Sequence, residues 1–400
     1  MPRVIWRGAT AQEYEQALRL HELVQGGTVE RFRSAQKNNP IFEPSLSRVC
    51  LEDDVVVSTI HIYPRQIRIG GAVMGNLAIG DVCTHPDKRH RGYGAGCLRD
   101  AIGWAEEHDH PMSMILSGVF GFYLSEKWEK FPQHSYSIDL TKFRRPKPGK
   151  DYFVRWFERD TDDLEQCMDV YDAYNADNSL SIVRTPLYWR RRLRWQAGES
   201  AGGWLVAERD GRIVAYMRSG GPHVTEMCFL PGDGHAAVSL FGALVRWTGR
   251  RELTKVSAVV AEDNPLMETF ASSPGVEKQT SMTTLLRFID LERVLECMQQ
   301  VLQLRYLRSG LRTDGELCLK AKGIRQQVTL RFQGCELALG RQPGAKARVL
   351  ALTQADLFKL ITGYGTLADL PLGQLDGRTK ALLDVLFPRG KCTFWSNDKV

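Results

Sequence analysis

A mixed α/β protein built from several domains is the fold class this 400-residue sequence predicts, and three observations predict it. Leu77 to Trp128 reads as an apolar strand, a cationic glycine loop, a helix and a second strand. After the proline-, glycine- and charge-rich segment Arg144 to Lys150, the order strand, helix, antiparallel strands, glycine loop and helix comes round again. From about Ile289 the pattern changes to a long helix, short alternating strands and two further helices. The expected organisation is α/β with α+β character, in three units over residues 1–145, 151–288 and 289–400.

The first unit opens with Val4-Ile5-Trp6-Arg7 as a strand, and Ala9-Thr10-Ala11 caps a helix that reaches about Val24. Its apolar stripe is Tyr14, Ala17, Leu18 and His21. A polar connector follows. Ser47 to Leu51 and Val55 to Tyr63 then alternate like paired strands around Glu52-Asp53-Asp54, and Gln66 to Ile69 continues the sheet to Gly70-Gly71. Leu77 to Thr84 is a mostly apolar, β-branched run ended by His85-Pro86-Asp87, which marks a buried strand entering a turn. Lys88, Arg89, His90 and Arg91 come next, ahead of Gly92 and Gly94. Glycines let backbone amides close around an anion, and the helix that follows adds the positive end of its dipole. That helix is marked by Ala95, Leu98, Ala101, Ile102 and Ala105 at three- and four-residue intervals. Met112 to Leu116 is the second strand, and Ser135 to Leu140 is expected to close this unit.

In the second unit Tyr152 to Phe157 is a strand and Asp162 to Asn175 a helix, and Gly203 to Glu208 pairs with Arg212 to Arg218 about Asp210-Gly211. Val224 to Leu230 leads through Pro231-Gly232-Asp233-Gly234-His235 into a helix that ends near Thr248. Tyr188 to Trp195 interleaves aromatics with four arginines, as a nucleic-acid surface does. An amphipathic helix with Leu187, Trp189 or Leu193 inward and a solvated arginine face explains the same residues more simply. The third unit carries a helix at Leu291 to Leu307, alternating runs at Glu316 to Lys320, Gln326 to Phe332 and Glu336 to Leu339, and helices at Thr353 to Ile361 and Thr379 to Leu386.

Composition narrows the function classes. A hydrophobic fraction of 43% with nine tryptophans supports real cores, and no apolar run reaches the roughly 18 residues a membrane span needs. Arg7 and Glu13 interrupt any signal-like core behind Met1-Pro2-Arg3-Val4. The nine cysteines are isolated, so neither a disulfide framework nor a zinc site is indicated and a cytoplasmic setting is expected. His85, His90, His108 and His110 fall on a turn, a loop and a helix end, which is no metal-ligand pattern. Net charge of +6 suits an anionic ligand without requiring nucleic acid.

The loop itself can be identified by elimination. It lacks the Lys-Ser/Thr ending of a P-loop, and Cys97 stands where a dinucleotide fingerprint needs its third glycine. What is left is Arg/Gln-x-x-Gly-x-Gly/Ala. Arg89, Gly92 and Gly94 fit it, and with the Val-Cys-Thr-His-Pro-Asp lead-in the stretch resembles motif A of the GNAT acetyltransferase superfamily. Phe120-Gly121-Phe122-Tyr123-Leu124-Ser125-Glu126-Lys127-Trp128 resembles the same family's aromatic-Tyr-x-x-x-Gly-aromatic segment, with Lys127 where a glycine is usual.

The resemblance implies acetyl-CoA as co-substrate, with no metal, its acetyl arm along Val82, Cys83 and Thr84 and its pyrophosphate at Arg89, His90, Arg91, Gly92, Tyr93 and Gly94. Acyl transfer needs a neutral amine, fixed donors for an oxyanion and a proton for the departing thiolate. Amides near Val82 and Cys83 supply the donors if their strand splays from its neighbour, and Tyr123 is the candidate acid, a phenol of pKa about 10. The Pro231 to His235 loop has no arginine or lysine, and Ser272 to Val276 replace Tyr123 and Trp128, so the second unit is expected not to bind coenzyme A.

Two tandem GNAT folds followed by a unit resembling a sterol carrier protein is the arrangement of Eis-type aminoglycoside and lysine acetyltransferases. That likeness implies a homo-oligomer, a hexamer among the forms it suggests, and a chain end reaching into an acceptor cavity. For the base two candidates stand open, Asp81 and the terminal carboxylate of Val400. The expected function is acetyl transfer to a primary amine, of aminoglycoside, polyamine or lysine type. The alternative is a catalytically silent protein that binds an acyl-CoA.

Overall fold

The computed structural model describes residues 2–144, 149, 151–159, 161–191 and 203–399. Strand β1 (Val4–Gly8) leads to helices α1 (Ala11–Gln25) and α2 (Val29–Lys37). The Thr10 side chain and Glu13 form a reciprocal capping box at the start of α1. Helix α2 was hidden in the polar connector because Val29 and Phe32 are its main apolar residues. Thr28 starts it by accepting from the Arg31 amide. Strands β2 (Ser47–Glu52), β3 (Val55–Ile69) and β4 (Ala72–Thr84) form an antiparallel meander. Helix α3 (Tyr93–Glu107) then returns the chain to β5 (Met112–Leu116), which pairs parallel to β4. The short helix α4 (Phe120–Ser125) follows, and β6 (Glu129–Asp139) ends the run.

The second run repeats this plan. It comprises β7 (Phe153–Trp156), α5 (Asp163–Asn175), a helix α6 described over residues 186–191, and the meander β8 (Trp204–Arg209), β9 (Arg212–Gly220) and β10 (His223–Phe229). Helix α7 (Gly234–Gly249) crosses to β11 (Lys255–Ala258), parallel to β10, before α8 (Leu266–Ser272) and β12 (Val276–Phe288). Asp210 and Gly211 both take positive φ in the β8–β9 hairpin, which fits the right-handed strand twist.

All twelve strands join one sheet in the order β1-β2-β3-β4-β5-β12-β6-β11-β10-β9-β8-β7. That order corrects one expectation. Residues 135–140 do not close the first unit. Strand β6 lies between β12 and β11, and it is β12, more than 140 positions downstream of β6 in the sequence, that hydrogen-bonds β5 over Thr284–Phe288. The two runs therefore exchange their last strands, and neither sheet half is complete without the other. Short-range alternation identifies a strand but cannot choose between two equivalent neighbours.

A second, four-stranded sheet of order β15-β14-β13-β16 lies in the C-terminal part. Its strands are β13 (Gly315–Ala321), β14 (Gln326–Gln333), β15 (Glu336–Gly340) and β16 (Arg348–Leu352), flanked by α9 (Leu291–Arg308), α10 (Gln354–Thr362) and α11 (Gly377–Leu386). Strand β16 was not foreseen; Val349 is exposed on it and only Leu350 and Leu352 point inward. The apolar core of this region also takes in Ile67, Met74, Met114 and Phe131, so it packs against the large sheet. Separate cores lie under α3 and around α5 and α7. No described helix is long and apolar enough to cross a membrane.

Candidate active site

The site starts from a break in one strand. Strands β3 and β4 pair in register up to Ile62 opposite Ile79 and His61 opposite Gly80, then resume at Thr59 opposite Cys83, so β4 bulges at Asp81-Val82. Asp81 takes φ 49°, a left-handed conformation that aspartate tolerates better than most residues. On the other side, pairing of β4 with β5 stops at Ile79 opposite Ile115. Gly80 to Thr84 thus have no partner strand on the β5 side, and the two strands part as the resemblance requires. The backbone of Val82 and Cys83 lies on that opened edge.

Beyond Thr84 a short 3₁₀ turn, Pro86–Lys88, delivers the chain into the glycine loop. His90 and Gly92 take φ 61° and 80°, and Gly92 is the N-cap of α3. A side chain at Gly94 would press on Thr84 Oγ1 and the Phe122 ring, each 3.3 Å from the position a Cβ would occupy. Glycine at this position keeps the helix N-terminus close to the end of β4, and the helix amides remain open to an anion.

The loop cations divide into two pairs. Glu52, buried on β2, holds the Lys88 ammonium, accepts a 2.6 Å hydrogen bond from the Tyr93 hydroxyl and lies 3.6 Å from Arg91 Nη1. Lys88 and Tyr93 hold its carboxyl below the usual carboxylate range. Arg89 and His90 are exposed. Electrostatic attraction for an incoming anion therefore rests on Arg89, the partly engaged Arg91 and the amides. Nothing in the local sequence marks Glu52, because it is brought in by β2, two strands before the one that leads into the loop.

Tyr123 sits on α4, buried, in the same apolar cluster as Ile79, Ile115 and Val82. Burial raises its pKa, and a hydrogen bond with the Ser117 side chain opposes that shift. The phenol is protonated at neutral pH and can donate. Lys127 adopts φ 72°, so it takes up the left-handed turn for which the resemblance expects glycine. The turn is tied down from two sides: Arg287 Nη1 on the exchanged strand β12 donates to Glu126 O at 2.5 Å, and Gln354 Nε2 donates to Lys127 O at 2.8 Å. Left-handed backbone costs a non-glycine residue about 1–2 kcal/mol. Lys127→Gly is expected to stabilise the protein by about 1 kcal/mol in denaturant melts, since glycine gives back part of that gain as unfolded-state entropy.

On the other face of the bulge, Asp81 Oδ2 accepts hydrogen bonds from Gln36 Nε2 and the Tyr63 hydroxyl, both 2.8 Å. Two residues along β3, Arg65 lies over the Tyr63 ring and donates from Nη1 to Asp398 O at 2.5 Å. The end of the described chain is thus brought to the strand that carries the partner of Asp81. Val400 itself lies outside the described residues. Asp398 is held by Arg184, through bonds of 3.0 Å from Nε and 2.8 Å from Nη2, and by the Tyr188 hydroxyl at 2.8 Å. Arg184 also pairs with Glu226, which accepts from the Tyr216 hydroxyl at 2.6 Å. These side chains lie in the second run, far from Asp398 in sequence, and no motif announces them.

Of the arginine-rich run, the described part is helical. Trp189 is buried, Leu187 is exposed, and Arg191 donates to the carbonyls of Asn39 and Pro40. Arg192, Leu193, Arg194 and Trp195 lie outside the described residues. Among the described residues no group of three or more His, Cys, Asp or Glu can hold a metal ion.

Comparison with known proteins bears on this arrangement. The model of an acetyltransferase (GNAT) domain matches residues 6–131, from within β1 to the start of β6. A search of curated sequences finds no match. Among solved structures, a probable N-acyltransferase of Enterococcus faecalis V583 superimposes with TM-score 0.74 at 16% identity, covering 99% of this chain and 100% of its own. A GCN5-related N-acetyltransferase of Kribbella flavida gives 0.71 at 17% identity, covering 100% and 99%. Eis1 of Mycobacterium abscessus gives 0.67 at 13% identity, covering both chains fully. Residues 6–131 thus match an acetyltransferase (GNAT) domain, and over its whole length the chain shares the fold of these three proteins.

Proposed function

We propose that the protein is an N-acetyltransferase that moves the acetyl group of acetyl-CoA directly to a primary amine within a ternary complex. One observation carries the reading: the bulged end of β4, paired with β3 but open on its β5 side, runs into a glycine loop that caps a helix, with Tyr123 packed in the cluster of the same strand. Val82, Cys83 and Thr84 would pair with the extended arm of the co-substrate, and the amides from Gly92 to Gly94, with Arg89, would take its pyrophosphate. Gly94 fits that role because a Cβ there would close the space between α3 and Thr84.

The amine's lone pair attacks the thioester carbonyl, and the backbone near Val82 and Cys83 stabilises the oxyanion. The C–S bond then breaks, Tyr123 supplies the proton the thiolate needs, and the proton shed by the attacking nitrogen as the amide forms restores the phenol. In this reading the amine approaches on the side of Asp81, whose carboxylate Gln36 and Tyr63 orient, and the docked chain end lies beside β3, the strand that carries Tyr63. We read residues 151–288 as a second GNAT fold that no longer binds coenzyme A, and 289–400 as the sterol-carrier-like unit. A cytoplasmic homo-oligomer acting on an aminoglycoside, a polyamine or lysine completes the reading.

Incubation with acetyl-CoA and a panel of those amines, with thiol release as the readout, tests it. Release that depends on one amine class supports the enzyme and names its acceptor. Binding of acetyl-CoA without release under every amine selects the silent binder instead.

A further inference from the structure

Behind the bulge lies a buried polar compartment that the reaction above leaves without a role. His21 on α1 and His61 on β3 are fully buried. Each uses one ring nitrogen: His21 Nδ1 lies 3.2 Å from Cys83 Sγ, and His61 Nδ1 lies 2.8 Å from Ser47 Oγ. Among the described residues, the Nε2 atom of each has no partner. The same holds for Gln36 Oε1, Thr59 Oγ1 and the Tyr14 hydroxyl. Aromatic contacts join Tyr14 and His61 of this set: Tyr14 meets Phe42 at 5.5 Å, Phe42 stacks on His61 at 6.4 Å, and His61 meets Tyr63 at 4.7 Å. Tyr63 and Gln36 both bind the Asp81 carboxylate.

Each buried polar atom left unpaired costs about 1–3 kcal/mol. Four of them, on His21, His61, Tyr14 and Gln36, belong to residues that interact with the Asp81 carboxylate, and they describe a site for internal water, which fills polar cavities and bridges such groups. We propose that buried water links Asp81 to His61 and His21, and that these imidazoles take the proton the acceptor amine loses before it attacks. The inference rests on the acetyl-transfer reading. An N–H bond of the ammonium breaks, its electron pair becomes the nucleophilic lone pair, and the proton passes through water to an imidazole Nε2. The imidazolium returns it to solvent after acyl transfer.

The charges around the pair suit this task. Burial lowers the pKa of both imidazoles, that of His61 to about 4, which favours the neutral ring, and with the hydrogen on Nδ1 each Nε2 keeps a free lone pair. The Asp81 carboxylate opposes that shift and stabilises an imidazolium once formed, while a charge on His21 disfavours one on His61. The remaining titratable neighbours are Cys83, Tyr63 and Tyr14, with Glu15, Glu30 and Arg33 acting on Tyr14 from α1 and α2. Burial keeps the Cys83 thiol and the Tyr14 phenol protonated.

His21→Gln, His61→Gln and the double variant test the relay. The expected result is a fall in kcat/KM of tenfold or more at pH 7, an acid limb of the pH profile that moves in each single variant and vanishes in the double, and an acetyl-CoA affinity within twofold of the parent. An acid limb that keeps its position in all three overturns the proposal. Should the variants fail to fold, NMR of ¹⁵N-histidine in the unaltered chain decides it. Magnetisation exchange between water and both buried rings is expected, and two rings without any contact to water defeat the relay. That measurement needs no turnover, so it separates failure of the relay from failure of the acetyltransferase reading, which shows instead as absent thiol release in the parent.

Discussion

Replacing Arg184 by leucine is expected to destabilise the protein by about 3–5 kcal/mol, the cost of leaving buried charges without their partner. Arg184, Glu226 and Asp398 are 1%, 0% and 1% exposed at their side chains, so solvent cannot take over the role of the guanidinium. Leucine would strand two carboxylates at once. The chain end should then leave its place, because Asp398 is fixed by Arg184 and Tyr188 and in turn occupies Arg65. Tyr188→Phe removes one hydrogen bond and keeps the ion pairs, so its cost should be nearer about 1–2 kcal/mol. Equilibrium denaturation measures both, and protease cleavage near Thr393 reports release of the tail. Equal stabilities for the leucine variant and the parent would show that the cluster does not hold the fold together.

Tyr123→Phe is expected to lower kcat by a factor of about 10²–10⁴, the range that a positioned proton donor contributes. The ring packs with Phe122 and Trp128 at 5.0 and 6.5 Å, and phenylalanine keeps those contacts, so folding and acetyl-CoA affinity should change little. A loss confined to kcat marks an interaction made in the transition state, whereas a loss confined to binding would assign the hydroxyl to the co-substrate. Burial raises the Tyr123 pKa, so ionisation of this phenol should set no limb of the rate profile near neutral pH.

Local chemistry explains which parts of this were legible in the sequence. The loop at Arg89 to Gly94 and the strand before it could be read because glycine, charge and alternation act over a few residues. The cap at Thr10 was visible for the same reason, since a threonine ahead of a helical stripe marks a helix start, whereas its reciprocal bond with Glu13 appears only in the structure. Helix α2 escaped because its stability comes from packing Phe32 on His21, with ring centroids 5.2 Å apart, and its own residues are mostly charged. The exchange of β6 and β12 escaped because both alternate equally well and the choice of neighbour is made by the assembled sheet.

Within the site the same limit applies. Tyr123 and Asp81 could be named from their places on predicted elements, but the groups that orient them could not. Gln36, Tyr63 and Glu52 reach the site across 18 to 45 positions of sequence, and Arg184 reaches Asp398 across 214. Lys88 and Arg91 had the composition of an anion site, yet Glu52 engages both. A cation count measures the charge a loop carries, whereas the fold decides how much of it faces a ligand.

Calorimetric titration of the full chain with acetyl-CoA tests the central claim most directly. The account predicts saturable one-site binding that Gly92→Val abolishes, because valine cannot adopt φ 80° at the helix start without strain. Absence of heat in the parent protein, or uptake that the valine variant retains in full, would contradict it.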